Sequence, residues 1–139
     1  MAKITREKVE EINAKCKNGF ELDVTMFVMY GEKQVQKYID LENGKKLRAT
    51  LSFRDRRFGY TFKPVISLHL SLWEKDFGEM LVSRGLGATI DLTEPYERKK
   101  FNDIILKTSE FDNNKILELA SQNMEQLNNP CIVGYSSEV

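Results

Sequence analysis

Over residues 1–30 the apolar positions change period. Ile4, Val9, Ile12 and Cys16 recur at helical spacing, with Thr5 placed as N-cap and Ile4–Val9 as a hydrophobic staple. Asn18-Gly19 supplies the left-handed stop that a helix end favours. From there Phe20, Leu22, Val24, Met26, Val28 and Tyr30 alternate with Glu21, Asp23, Thr25, Phe27 and Met29, which predicts a strand over 20–30. Gly31-Glu32 reads as a type II′ hairpin turn, pairing Val28 with Val35, Val24 with Ile39 and Leu22 with Leu41. At the next turn, a loop of Glu42-Asn43-Gly44 pairs Ile39 with Leu47 and Val35 with Leu51, keeping the apolar side chains on one face. A two-residue loop at Asn43-Gly44 would mix the faces, so the longer loop is preferred. The expectation is a three-stranded antiparallel meander over 20–54.

Further along, "RDRRFG" reads as a loop and "YTFKPVISLHLSL" alternates again, with Tyr60, Phe62, Ile66, Leu68 and Leu70 inward. Pro64 lacks a ladder donor and places this strand at an edge or a bulge. Residues 71–85 carry a capping box at Ser71 and Glu74 and helical spacing at Trp73, Phe77, Met80 and Leu81, so a helix is the reading taken there; Gly78 supports the alternative of a turn followed by a strand over 79–84. Leu86, Ala88, Ile90 and Leu92 make a strand. A helix is expected from Thr93 to about Lys107, and another, capped by Asp112 or Asn113, with Ile116, Leu117, Ala120, Met124 and Leu127 on one stripe. Asn129-Pro130 ends it, leaving 129–139 as a loose tail. The fold class expected is α+β: a single domain over 1–139, built on a single antiparallel sheet in which the meander is extended by one to three further strands, with helices from both end segments packed on one face.

Composition narrows the function classes. The 139 residues are 41% hydrophobic and 30% charged, a globular balance, and 21 basic residues meet 21 acidic ones, so no net field surrounds the molecule. No apolar run approaches the ~20 residues that span a bilayer, and the N-terminus lacks the apolar core of a secretory signal. Cys16 and Cys131 make no disulfide framework, which favours a reducing, cytoplasmic setting. Neither cysteine has zinc-ligand spacing, so no metal and no cofactor is expected. The single histidine, His69, shares a strand face with Ser67 and Ser71; no orienting carboxylate is placed by spacing, and a half-exposed strand histidine is the plainer reading. "SRGLGATI" holds a Gly-x-Gly, but it leads into a strand rather than a helix and reads as a turn.

The chemistry concentrates in one stretch. Lys45, Lys46, Arg48, Arg54, Arg56, Arg57 and Lys63 face only Asp55 between residues 45 and 63. The meander's second face is expected to bring Phe27, Met29, Tyr38, Lys46, Arg48 and Arg54 together, with Tyr38 opposite Arg48 and Phe27 opposite Gln36. Part of the stretch, "RRFGYTFK", is partly similar to the octapeptide of RNA-recognition motifs at Arg56, Phe58, Gly59 and Tyr60, and "MFVMYG" (26–31) is loosely similar to the companion hexamer. Arg57 stands where that octapeptide has glycine, and a hairpin at 31–41 leaves no room for the helix that fold requires, so the likeness is one of composition. The expected function is a non-catalytic binding module of adaptor or inhibitor type. Its partner is a protein, engaged through Phe27, Tyr38, Lys46, Arg48, Arg54, Arg56, Arg57 and Lys63, a mixture of aromatic and arginine side chains that interface centres favour. Single-stranded nucleic acid bound by 46–63 is the alternative, and an enzyme using His69 as base comes third. No membrane contact is expected, and self-association stays open.

Overall fold

The computed structural model describes residues 3–75, 78–83 and 87–128. Helix α1 (Arg6–Lys15) begins where the Thr5 hydroxyl accepts the Lys8 N–H at 3.1 Å, as its sequence requires. After it, the strand expected over 20–30 does not form. Only β1 (Glu21–Leu22) is extended, and Asp23 then caps α2 (Val24–Tyr30), its carboxylate accepting the Met26 N–H at 3.1 Å. Gly31, at φ +69°, is the left-handed terminator of that helix, so it is not a hairpin turn. The physical reason lies in the run itself: from Met26 to Tyr30 every residue is apolar or aromatic, so neither period is imposed and the caps decide. Leu22 therefore pairs with Val35, not Leu41, and the expected pairs of Val24, Phe27 and Val28 with the next strand are replaced by helix packing.

The second turn follows the expected register. β2 (Val35–Asp40) and β3 (Lys46–Phe58) pair Val35 with Leu51, Tyr38 with Arg48 and Ile39 with Leu47. The Glu42–Gly44 loop between them holds Asn43 at φ +62° and Gly44 at φ +73°. β3 and β4 (Thr61–Lys75) form one long hairpin, paired throughout from Lys46–Trp73 to Phe58–Thr61. The loop expected at 54–59 is thus mostly strand, and the turn is the Gly59-Tyr60 pair, with Gly59 at φ +63°.

β4 also runs through 71–75, where a helix was expected. Leu72 packs on the core and Trp73 on the opposite face, so pairing with β3 imposes a period of two and overrides the capping-box signal. β5 (Leu81–Ser83) returns against Trp73–Lys75, in line with the turn-and-strand alternative. β6 (Ala88–Asp91) pairs with Ser67–Leu70. The result is one antiparallel six-stranded sheet, β1-β2-β3-β4-β6, with β5 also bonded to β4. Pro64 pairs with Asp55 of β3 on one side; on its other side β4 has no strand neighbour among the described residues, and the Tyr96 N–H donates to the Pro64 carbonyl at 2.8 Å, so the proline lies where β4 is an edge.

The helix expected from Thr93 starts only at α3 (Phe101–Lys107), because the Thr93 hydroxyl is occupied accepting the Ile66 N–H at 3.0 Å. α4 (Asn113–Gln122) is capped by Asp112, and α5 (Met124–Asn128) follows. The tail expected over 129–139, with Cys131, lies outside the described residues, as do Phe77 and the first glycine of the Gly-x-Gly.

Ile104, Phe111, Ile116, Ala120 and Leu127 cover the sheet face formed by Val35, Ile39, Leu47, Leu51, Leu68 and Leu70. A fully buried Leu or Ile contributes roughly 1.5–3 kcal/mol, so this layer dominates the stability. A smaller cluster of Ile12, Leu22 and Ile105 lies beneath α1. Thr108, fully buried, joins the two ends of the chain: its hydroxyl donates to the Ile105 carbonyl and accepts the Lys17 N–H, and its carbonyl accepts from the Asn18 side chain. Among the described residues no helix is long and apolar enough to cross a membrane.

Candidate protein-docking surface

The sheet face opposite the core carries the polar residues of β2, β3, β4 and β6. Tyr38, Arg48 and Trp73 gather at one end of it. The Arg48 guanidinium lies 6.0 Å from the Tyr38 ring centre and 5.4 Å from that of Trp73, and the two rings meet edge to face at 6.3 Å. One Arg48 nitrogen donates to Asp23 at 2.8 Å, and Asp23 also accepts from the Gln34 amide. With side-chain exposures of 19% and 7%, Arg48 and Asp23 form a mostly buried pair. Arg48 is thereby anchored as part of the fold. Its Nε and the Gln36 side-chain Oε1 are buried without a hydrogen-bond partner, a cost the aromatic enclosure offsets in part.

His69 stands further along the same face, opposite Thr50 and Thr89, with its Nδ1 2.8 Å from the Thr89 hydroxyl. Burial, and then the positive charge of Arg48, lower its pKa below 6.5, so the ring is neutral near pH 7. Ser71 accepts from the Trp73 indole N–H at 2.8 Å, which orients that hydroxyl toward the aromatic cluster.

The other end of the hairpin is different in kind. β2 accompanies β3 only as far as Leu51, and β6 accompanies β4 only from Ser67. From Arg56 to Phe62 the two strands therefore run on with no third strand beside them, as a ribbon-like arm. Tyr60 is 99% exposed at its tip and Phe62 66% exposed. Both were expected in the core. Phe62 keeps the core-side parity but lies beyond Phe53 and Tyr96, whose rings meet edge to face at 5.8 Å where the core ends. On the opposite side of the ribbon the Arg56 guanidinium lies over Phe58, 5.3 Å from the ring centre.

The basic residues of the stretch meet acids distant in sequence. Arg54 makes a forked pair with Asp91 (3.2 and 2.8 Å), and hydrogen bonding to that carboxylate raises its pKa. Arg56 approaches the same carboxylate at 3.4 Å, Lys63 meets Glu97 at 2.9 Å and Lys46 meets Asp40 at 2.6 Å. Arg57 donates to the Gly59 carbonyl and makes no ion pair among the described residues.

The expected set of partner-binding residues is thus divided. Lys46, Arg48 and Tyr38 lie at one end; Arg54, Arg56 and Lys63 follow on the same face, while Arg57 points to the core side. At ~3.3 Å per residue, Arg48 and Arg56 stand about 26 Å apart along β3. Phe27 belongs to neither group, since α2 carries it to the cleft between α1 and α3. Trp73, Tyr60, Phe62 and Asp91 are the residues that sequence reasoning passed over. Only the Gly59-Tyr60 dipeptide signalled the arm, as a Gly-X turn between alternating runs.

The chain matches no known family, curated protein or solved structure. Among the described residues no three His, Cys, Asp or Glu side chains converge as a metal site would require.

Proposed function

We propose that this protein is a non-catalytic binding module that engages a protein partner through the β3–β4 arm. The observation that carries the reading is the arm's tip, where Tyr60 and Phe62 project into solvent beside Arg56 and Arg57 on a ribbon unsupported by other strands. Exposed aromatics beside arginine have the composition of an interface centre. The surrounding ion pairs suit the role. An exposed single contact such as Lys63–Glu97 contributes only ~0–1 kcal/mol, so its exchange for a partner's carboxylate costs little. The setting we propose is the reducing cytoplasm, on the sparse and non-framework cysteines.

A second reading has one observation in its favour: a two-stranded ribbon bearing arginines has the dimensions that enter a nucleic-acid groove. Against it, Arg54 and Arg56 share Asp91, Lys63 meets Glu97, Arg48 meets Asp23 and Lys46 meets Asp40, so five of the seven basic side chains of the stretch are already paired, and a polyanion gains its affinity from free cations.

The experiment places a photo-crosslinking phenylalanine analogue at Tyr60, and separately at exposed Leu117 on α4, in the source cell. The expected result is one protein adduct specific to position 60, insensitive to nuclease, and lost when Phe62 is changed to Ser. Tight binding to single-stranded RNA or DNA, or to duplex DNA, that falls steeply with salt and disappears on changing Arg54, Arg56 and Arg57 to Ala together, would establish the second reading and exclude the first.

A further inference from the structure

Between α1, α2 and α3 the molecule holds a cleft of about 540 Å3. Its floor is apolar: Ile4, Ile12, Leu22, Phe27, Phe101 and Ile105. Ile12, Leu22 and Ile105 are the buried residues of the small cluster that stands apart from the main core. Its rim is of one sign. Every charged side chain lining the cleft is a lysine, namely Lys3, Lys8, Lys15 and Lys33. Glu11 holds Lys8 and Lys15 from outside, at 3.3 and 3.5 Å. Lys3 and Lys33 make no ion pair among the described residues, and both are exposed.

We propose that this cleft binds a single-chain anionic amphiphile, a long-chain carboxylate, with its alkyl chain on the apolar floor and its head group at Lys3 and Lys33. The volume falls in the range of roughly 300–1,000 Å3 typical of small-ligand sites, and an apolar lining with a few placed charges is their usual composition. Lysine suits this ligand. Its flexible stem covers apolar surface while the ammonium reaches water, so the same side chain contacts the alkyl chain and the head group. A ligand polar throughout would leave the floor without a partner, and a cationic amphiphile would meet four like charges. The site shares no residue with the β3–β4 arm, so it stands or falls independently of the docking reading.

The test is a methyl and aromatic NMR titration of the whole chain with dodecanoate, beside dodecyltrimethylammonium, which has the same chain and the opposite charge, both below their micellar concentrations. The expected result is saturable shifts of the Ile4, Ile12, Leu22 and Ile105 methyls and the Phe101 ring with dodecanoate only. The double change K3E/K33E, at two exposed positions that leave the thermal midpoint unchanged, should weaken dodecanoate about tenfold or more, the loss of roughly 1.4 kcal/mol of head-group attraction. Shifts absent, equal for the two amphiphiles, or unaltered in K3E/K33E would overturn the proposal. A concentration-dependent dimer whose interface maps to these same residues, with no response to dodecanoate, would assign the cleft to a second copy of the chain and overturn it equally.

Discussion

His69 is held by three strands at once. Thr50 and Thr89 flank it, and Gly87, at φ +79°, lies so close that a Cβ there would run into the Leu70 carbonyl and come within 2.9 Å of the ring Nε2, so only glycine fits beside it. Burial and then Arg48 depress its pKa, and the sign of the consequence follows. As pH falls below about 6.5 the unfolded chain takes up the proton before the folded one does. Stability is therefore complete above that value and is lost as pH falls toward the folded pKa. The thermal midpoint of the native protein should drop between pH 7 and 5 more steeply than that of His69→Gln, measured by circular dichroism in matched buffers. Parallel slopes would refute the linkage. At this scale the sequence was half legible. Alternation placed Ser67, His69 and Ser71 on one face, but Thr89 and Gly87 reach the ring through a pairing of strands that no local pattern announces. Thr108 was invisible for the same reason, since its partners Lys17 and Asn18 belong to the other end of the chain.

Among the elements, α2 depends most on a single residue. Asp23 caps the helix and neutralises Arg48, so it serves the helix start and the aromatic cluster together. Asp23→Ala is expected to cost about 2–4 kcal/mol, combining a lost cap with an unpaired, mostly buried guanidinium. Asp23→Asn, which can still cap, should cost less. Denaturant midpoints measure both, and equal losses would show that the charge pair contributes nothing beyond the cap. The same helix shows where pattern reading fails. The register of β2 on β3 was legible because Val35, Ile39, Leu47 and Leu51 alternate with polar residues on both strands. The run over 26–30 has no polar residue to mark a face, and Asp23 with Gly31, which set its conformation, looked equally like a strand residue and a hairpin turn. At 71–75 the local signals were divided, the capping box favouring a helix and Gly78 a turn and strand, and pairing with β3 decided between them.

For the whole molecule, the sheet is built around the long β3–β4 hairpin, which is buried toward β2 and β6 and bare at its tip. Amide hydrogen exchange should be slowest over 47–51 and 66–70 and fastest, among the paired residues of β3 and β4, over 56–62; uniform protection along the hairpin would show that the arm is packed in solution. The candidate surface was visible in the sequence as a basic and aromatic stretch. Its neutralisation by Asp91 and Glu97 was not, because those acids are brought to it only by the course of the chain after β4. The hairpin's geometry has a kinetic consequence. Its turn lies at the exposed tip, so zippering from Gly59-Tyr60 must pass through ordered but uncovered residues before the first apolar pair, Phe53 with Ile66, gives any return. The barrier-crossing contact is better made directly between those two residues, with 54–65 as a loop whose closure entropy exceeds that of a two-residue turn by about 1–2 kcal/mol. The arm thus slows the assembly of the sheet it extends from, and a chain folding for stability alone would be better served by joining Arg54 to Val65 through the shortest turn.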